Sequence, residues 1–324
     1  MGISHDFLVP LLDSIVGRWR MPFRRRLRSW LPWIAATAMV LVVVVAANRG
    51  GDPIFELRGL GWTIHPTDKG LELSFEGAPP SKSLRALQRT SQPLHVRINS
   101  VDNITSMSGW SVLTNLTTLD LSRTSVSDVS PLKGLKNLTS LNLWWTNVSD
   151  VSPLRELRNL KELNLGATQV RDLSPLKELT KLTTLFLANT QVSDVSPLKE
   201  LKNLKSLDLS STGVKDVSPL RGLTNLTSLY LTGTKVSDVS SLKELTNLTT
   251  LHLGGEPSQP SPLSDVSPLK ELKNLTTLYL GYTEVRDVSP LKGLTNLKVL
   301  YLDHTQVRDV SPLKDIKGLQ IYGP

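Results

Sequence analysis

From Leu116 onward, apolar and polar positions recur with a fixed period. The unit reads L-x-x-L-x-L-x-x-T-x-V-x-D-V-S-P-L-x-x-L-x-N and starts at Leu116, Leu138, Leu160, Leu182, Leu204, Leu226, Leu248, Leu275 and Leu297. The spacing is 22 residues except between Leu248 and Leu275, where it is 27. L-x-L alternates with period 2 and predicts a short strand, leucines inward and the residue between them outward. D-V-S-P-L predicts a helical turn with Ser as N-cap, Pro at the first helical position and Asp accepting a backbone N–H. The Asn closing most units is expected to take the left-handed turn into the next strand. Seven apolar slots per unit point inward. A lone unit leaves both flanks of that row uncovered and cannot offset the entropy of ordering its chain, so the units must stack. A degenerate earlier copy, "VRINSVDNITSMSGWSVLTN", puts Ile104, Met107, Trp110 and Leu113 in matching slots.

The pattern ahead of the repeats differs. Residues 50–93 carry no repeat; "IFELR", "WTIH" and "LELSFEG" read as short strands and "SKSLRALQRT" as a helix, together a small cap over the first rung. Ile34 to Ala47 contains no charge, and with "WLPW" before it the apolar run approaches the length that spans a bilayer. Charge orients this segment. Residues 1–33 hold six Arg against two Asp, half of the chain's formal +8, while Arg49 and Arg58 are the nearby cations on the other side. The positive-inside rule then places the N-terminus in the cytoplasm. The expected organisation is a basic tail (1–29), a transmembrane signal anchor (30–48), a cap (49–93), a degenerate repeat (94–115), nine repeats (116–318) and a terminal stretch (319–324). The expected location is the cell membrane, single-pass, with the repeats periplasmic or extracellular. Cleavage after the small residues near Ala47, which would release the protein, is the alternative.

The nine consecutive units resemble the leucine-rich repeat, specifically the 22-residue bacterial type of internalin-like proteins, over about residues 95–324. The resemblance implies an α/β solenoid: a parallel sheet on the concave side, short 3-10 or helical turns on the convex side. It also implies a protein ligand. The family's usual residue at the ninth position is Asn, whose amide bonds neighbouring turns. Here it is Thr, at Thr124, Thr146, Thr168, Thr190, Thr212, Thr234, Thr283 and Thr305. A hydroxyl ladder is expected to do similar work with less reach.

Function is expected where the copies differ. The outward position of L-x-L reads Asp120, Asn142, Asn164, Phe186, Asp208, Tyr230, His252, Tyr279, Tyr301, and flanking slots add Trp144, Trp145, Tyr282, Asp303 and His304. Only 5% of the chain is aromatic, so the gathering of aromatics here points to a binding surface: Trp144, Trp145, Phe186, Tyr230, His252, Tyr279, Tyr282, Tyr301 and His304. The bland alternative is that rings on a sheet stack for their own sake. A protein ligand is the first expectation and a glycan the second. The five extra residues in "GGEPSQPSP" form either a rim contact or a loose loop. The stretch "LQIYGP" enters a further strand, whose open edge is expected to support a weak homodimer.

The remaining chemistry is sparse. Without cysteine there is no disulfide, zinc-thiolate site or cysteine nucleophile. His252 and His304 lie two rungs apart, and no P-loop, HExxH or dinucleotide fingerprint occurs. No catalytic residue, metal or cofactor is expected. One Asp per unit is a poor calcium ladder, and evenly interspersed Lys and Asp do not make a nucleic-acid groove. The N-x-T triplets, such as Asn137-Leu138-Thr139, follow from the repeat register rather than from glycan attachment. The rivals to a binding module are a structural envelope tether without a ligand and a receptor signalling through a cytosolic partner.

Overall fold

A computed structural model describes residues 52–77, 79–99 and 107–323. The chain divides into two units, Met1–Phe55 and Glu56–Pro324. All strands found among the described residues lie in the second. They form one sheet whose spatial order is the chain order: β1 (Thr63–Thr67), β2 (Gly70–Glu76), β3 (Leu94–Asn99), β4 (Leu116–Asp120), β5 (Ser140–Asn142), β6 (Glu162–Asn164), β7 (Thr184–Phe186), β8 (Ser206–Asp208), β9 (Ser228–Tyr230), β10 (Thr250–His252), β11 (Thr277–Tyr279), β12 (Val299–Tyr301) and β13 (Gln320–Tyr322). β1 and β2 are antiparallel; every later pair is parallel, and from β4 to β12 matching repeat positions lie opposite one another, while β13 pairs one residue early, Ile321 opposite Leu300. Each return path from β4 onward is a short 3-10 turn. Among the described residues no helix is long and apolar enough to cross a bilayer; residues 30–48, expected to do so, lie outside them, as does Ile104.

The core is the inward row predicted from the period. In the second unit Leu138, Leu141, Leu143, Val148, Val151, Leu154 and Leu157 are all at most 1% exposed; the row is buried in every other unit except the last, where Val310 is only partly covered. Met107, Trp110 and Leu113 of the degenerate copy are buried as well. The cap extends the same core through Leu71, Leu73, Leu87, Leu94 and Val96. There the chain crosses from β2 to β3 through helix α2 (Ser81–Gln88), whose buried Ser83 accepts the indole N–H of Trp62 at 2.9 Å. The strand expected over "IFELR" is instead part of helix α1 (Pro53–Gly59). Asp52 explains it: its Oδ1 accepts the Ile54 N–H at 2.9 Å, and Pro53 enters the helix at its start, where no N–H is needed. An Asp-Pro start outweighed the β-leaning Ile and Phe that follow it.

Three polar columns work differently from their sequence reading. The ninth-position threonines do not bridge rungs. Each buried hydroxyl donates to the carbonyl of the leucine three residues earlier in its own rung, at 2.5–2.8 Å. A hydroxyl reaches back across its own corner but not to the next turn. The terminal asparagines do not take left-handed backbone either. Their side-chain amides donate to a carbonyl of the preceding rung, for example Asn137 to Thr114 and Asn225 to Lys202, both at 2.8 Å. That bond occupies the amide nitrogen a glycan would need. The threonine two residues later adds a second rung-to-rung bond, as in Thr227 Oγ1 to the Lys205 carbonyl at 3.0 Å. At the 3-10 turns Ser is the first turn residue rather than the cap; the Asp two residues earlier caps it, Asp128 Oδ1 accepting the Ser130 N–H at 2.8 Å. Asp128, Asp172, Asp238, Asp287 and Asp309 are thereby held below the usual carboxylate range, first by the backbone N–H and then by the serine hydroxyl.

The left-handed turn falls at the residue before each corner Thr: Arg123, Trp145, Ala167, Asn189, Ser211, Gly233, Tyr282 and His304 all have φ between 52° and 68°. Only one is glycine. The conformation costs the others about 1–2 kcal/mol each, and the rung holds it from both sides. The strained N–H donates to the next rung, as Trp145 to Gly166 at 2.9 Å, and the Thr hydroxyl closes the corner behind it.

These roles separate in stability measurements on the full chain. Leu207→Ala is expected to cost about 2–5 kcal/mol in urea unfolding. Thr212→Val, which loses one bond within a rung, and Asn225→Ala, which loses one between rungs, are each expected to cost about 1 kcal/mol. Only Asn225→Ala is expected to broaden the transition, because it weakens the coupling between neighbours.

Candidate functional site

The strands expose two outward columns. Beside the buried leucines, one column runs Ser206, Ser228, Thr250 and Thr277 and ends in Val299 and Gln320. The parallel register sets the other column, with Tyr230, His252, Tyr279, Tyr301 and Tyr322 each opposite the next. Successive ring centroids are 4.8, 5.4, 5.1 and 4.8 Å apart. The rings form a continuous ridge about 20 Å long at roughly 4.8 Å per rung. His252 and Tyr279 are stacked at 21° and Tyr301 and Tyr322 at 15°. Tyr230 meets His252 edge to face at 65° and Tyr279 is tilted 43° to Tyr301, so the ridge is two face-to-face pairs joined by steeper contacts rather than one continuous stack.

The structure therefore joins four of the expected residues and adds Tyr322, which is 45% exposed. The 22-residue spacing hid it, setting Tyr322 in the inward slot after Leu300; β13 pairs one residue early, Ile321 opposite Leu300, and this turns Tyr322 outward beside Tyr301. Tyr282 and His304 form a separate stack beside the ridge, centroids 4.3 Å apart, both on left-handed backbone. Trp144 and Trp145 lie several rungs earlier, edge to face at 5.5 Å, with the Arg123 guanidinium 4.9 Å from the Trp144 ring. Trp145 is 62% exposed. Phe186 touches neither group; it is half-buried between Asn164 and Asp208 in its column.

The inserted residues after His252 are ordered. Glu256 and Gln259 exchange backbone hydrogen bonds, and Ser261 takes the buried corner slot that Thr fills elsewhere. Glu256 reaches back two rungs to accept the Ser211 hydroxyl at 2.5 Å. It passes over Gly233, where a Cβ would meet its carboxylate at 2.8 Å. The loose-loop reading fails for this reason. The same segment seats the ridge: a Cβ on Gly254 would lie 2.6 Å from the Tyr279 ring, so glycine there leaves the ring its place.

Electrostatics on the ridge follow from burial. Half-burial pushes the His252 imidazole below its usual 6.5, with Asp208 pulling weakly the other way. Tyr279 is raised above 10, first by burial and then by Asp303. Both favour neutral rings near pH 7. Among the described residues no group of three or more His, Asp or Glu side chains is placed to hold a metal ion.

A family model for leucine-rich repeats in two copies matches residues 114–156, 136–178, 158–200, 180–222, 202–244 and 273–315, together just over half of the chain. The gap between the last two matches contains the inserted residues. No curated protein matches the sequence. Among solved structures, internalin inlF of Listeria monocytogenes is 28% identical with a TM-score of 0.62, over 78% of this chain and 86% of that one. A leucine-rich repeat protein of Leptospira interrogans is 22% identical with a TM-score of 0.64, over 76% and 69%. The functional domain of InlJ from Listeria monocytogenes, which includes a cysteine ladder, is 21% identical with a TM-score of 0.61, over 78% and 52%.

The lowered His252 value fixes a sign. The unfolded chain takes up this proton more readily than the folded one, so the ring's contribution is complete above about 6.5 and is lost as pH falls below it. The melting temperature is expected to drop between about pH 7.5 and about pH 5.5. In His252→Phe that drop should be smaller, by differential scanning fluorimetry on both proteins.

Proposed function

The chain belongs to the leucine-rich repeat family, and on that premise we propose that it is a membrane-anchored, non-catalytic module that recognises a protein ligand on the outward face of its sheet. The observation that carries this reading is the ridge from Tyr230 to Tyr322. Its rings are spaced by the rungs and unbroken by charge. Large half-exposed aromatics beside a floor of uncharged side chains suit the desolvated anchors of a protein interface. The solenoid would stack without them, since the leucine row is complete in every rung.

Ring orientation supports a protein over a glycan. A sugar packs its C–H face on an open aromatic face, whereas four of the five rings each have one face against a partner, in the pairs His252–Tyr279 and Tyr301–Tyr322. Edges and phenol hydroxyls remain, and these suit backbone and side-chain groups of a polypeptide. The anchor reading is supported by the uncharged run around Ile34 to Ala47 and the arginines before it; under the positive-inside rule these favour repeats outside the cytoplasm.

Tyr230, Tyr279 and Tyr301 changed together to Ala test the reading in the full chain on intact cells, by proximity labelling from a C-terminal tag. The expected result is loss of a neighbour that the unaltered protein labels, with expression and melting temperature within a few degrees. An unchanged set of labelled neighbours would overturn it and favour a ligand-free tether.

A further inference from the structure

The two outward columns change character along the stack. From β9 to β13 they hold no charged side chain. From β2 to β8 they hold Glu72, Asp120, Glu162 and Asp208 against Arg97 alone. The chain as a whole carries +8, so this half-face has the opposite sign from the molecule. On the 3-10 side carboxylates stand beside cations, as in Lys133–Glu156, Arg158–Glu178 and Arg221–Glu244 at 3.4–3.8 Å. The sheet face has no lysine to do the same.

This half-face is also hollow. A groove of about 590 Å³ runs across β1 to β7, with Glu72, Arg97, Asp120 and Glu162 along it and Phe186 at the end nearer the ridge. Asp120 lies low in it, its side chain 16% exposed, accepting Arg97 Nε at 3.1 Å and the Ser122 N–H at 3.0 Å. Arg97 leans outward at 66% exposed. Glu162 accepts only the Ser140 hydroxyl, at 3.1 Å. A carboxylate has about four acceptor sites, so these groups keep capacity toward the groove.

Resting on the reading above, we propose that this groove seats a basic segment of the protein partner, an extended stretch bearing lysine or arginine, while the ridge takes its apolar part. Charge complementarity and continuity with the ridge carry the assignment. Seven rungs at roughly 4.8 Å accommodate about nine extended residues at roughly 3.3 Å each. Cations enter beside Asp120 and Glu162 and compete with Arg97 for Asp120.

The probe is a fluorescein-labelled nonalysine peptide, titrated into the full chain at low salt and read by anisotropy. Asp120→Asn with Glu162→Gln is expected to weaken binding about tenfold, two contacts being removed. Arg97→Gln is expected to tighten it about threefold by removing the internal competitor. Glu156→Gln with Glu178→Gln, the same charge change on the other side of the solenoid, should shift it less than about twofold. Equal weakening by both pairs, or none by the groove pair, would overturn the proposal. Glu162→Gln alone guards against misfolding, since that side chain is exposed. The triple tyrosine variant is expected to bind nonalysine normally; if it does not, the peptide is not in the groove and the assignment fails. Loss of the cellular neighbour in that variant is a separate readout, so the ridge can stand or fall independently.

Discussion

Every feature of this molecule depends on one constraint: a rung has no inside of its own. Its leucines and valines form a single row, open above and below, and become buried only against the rows of adjacent rungs. The backbone obeys the same rule. Strands only three residues long cannot hold themselves extended, and their N–H and C=O groups are satisfied by the turns on either side. Bonding continues past the strands to the left-handed residue and, beyond the corner, turns to the preceding rung, as in Asn147 N–H to the Val126 carbonyl at 2.9 Å. Stacking therefore supplies both the hydrophobic burial and the polar satisfaction, and neither can be had without the other.

The same constraint explains what could be read from the chain and what could not. Burial is periodic, so the leucine row and the outward column from Tyr230 to Tyr301 follow directly from spacing; Tyr322 does not, because β13 pairs one residue early. The polar columns do not. Thr and Asn can each donate sideways or backward, and which partner lies in reach depends on where the corner places the side chain. Asn225 does the rung-to-rung bonding that analogy assigned to Thr212, while Thr212 closes its own corner and the left-handed turn falls on Ser211. The left-handed position was hidden for a related reason: left-handed backbone is normally signalled by Gly or Asn, and here it is filled by Arg123, Trp145 and Tyr282 because neighbouring rungs hold the backbone in place. Helix α1 was missed because a two-residue start, Asp52-Pro53, outweighed the β-leaning residues behind it. Contacts such as Glu256 with Ser211 join residues two rungs apart, and no local pattern announces them.

Left-handed backbone also changes what an exposed aromatic means here. A bulky side chain at positive φ is uncommon, and the rung accepts Ala, Ser or Gly at the same position without altering its bonds. Trp145, Tyr282 and His304 therefore bring nothing to the stack that a smaller residue would not. Trp145 is largely exposed and Tyr282 and His304 stack on each other outside the core. Strain kept where no packing need exists is the pattern of positions retained for contact with something else.

The inserted rung sharpens this argument. A solenoid tolerates extra residues wherever they can hang free, but these fold back across two rungs, fill the corner slot with Ser261 and require glycine at 233 and 254. Gly254 gives up the side chain its rung could carry, and Gly233 leaves room for the Glu256 carboxylate. What is gained is a fixed seat for the Tyr279 ring at the middle of the ridge and a fixed rim beside it. A surface whose only task was to cap a sheet would need no such seat. The ridge is therefore preorganised, its rings seated by the fold itself; under the proposed reading a partner would meet rings already ordered, and less conformational freedom would be lost on binding.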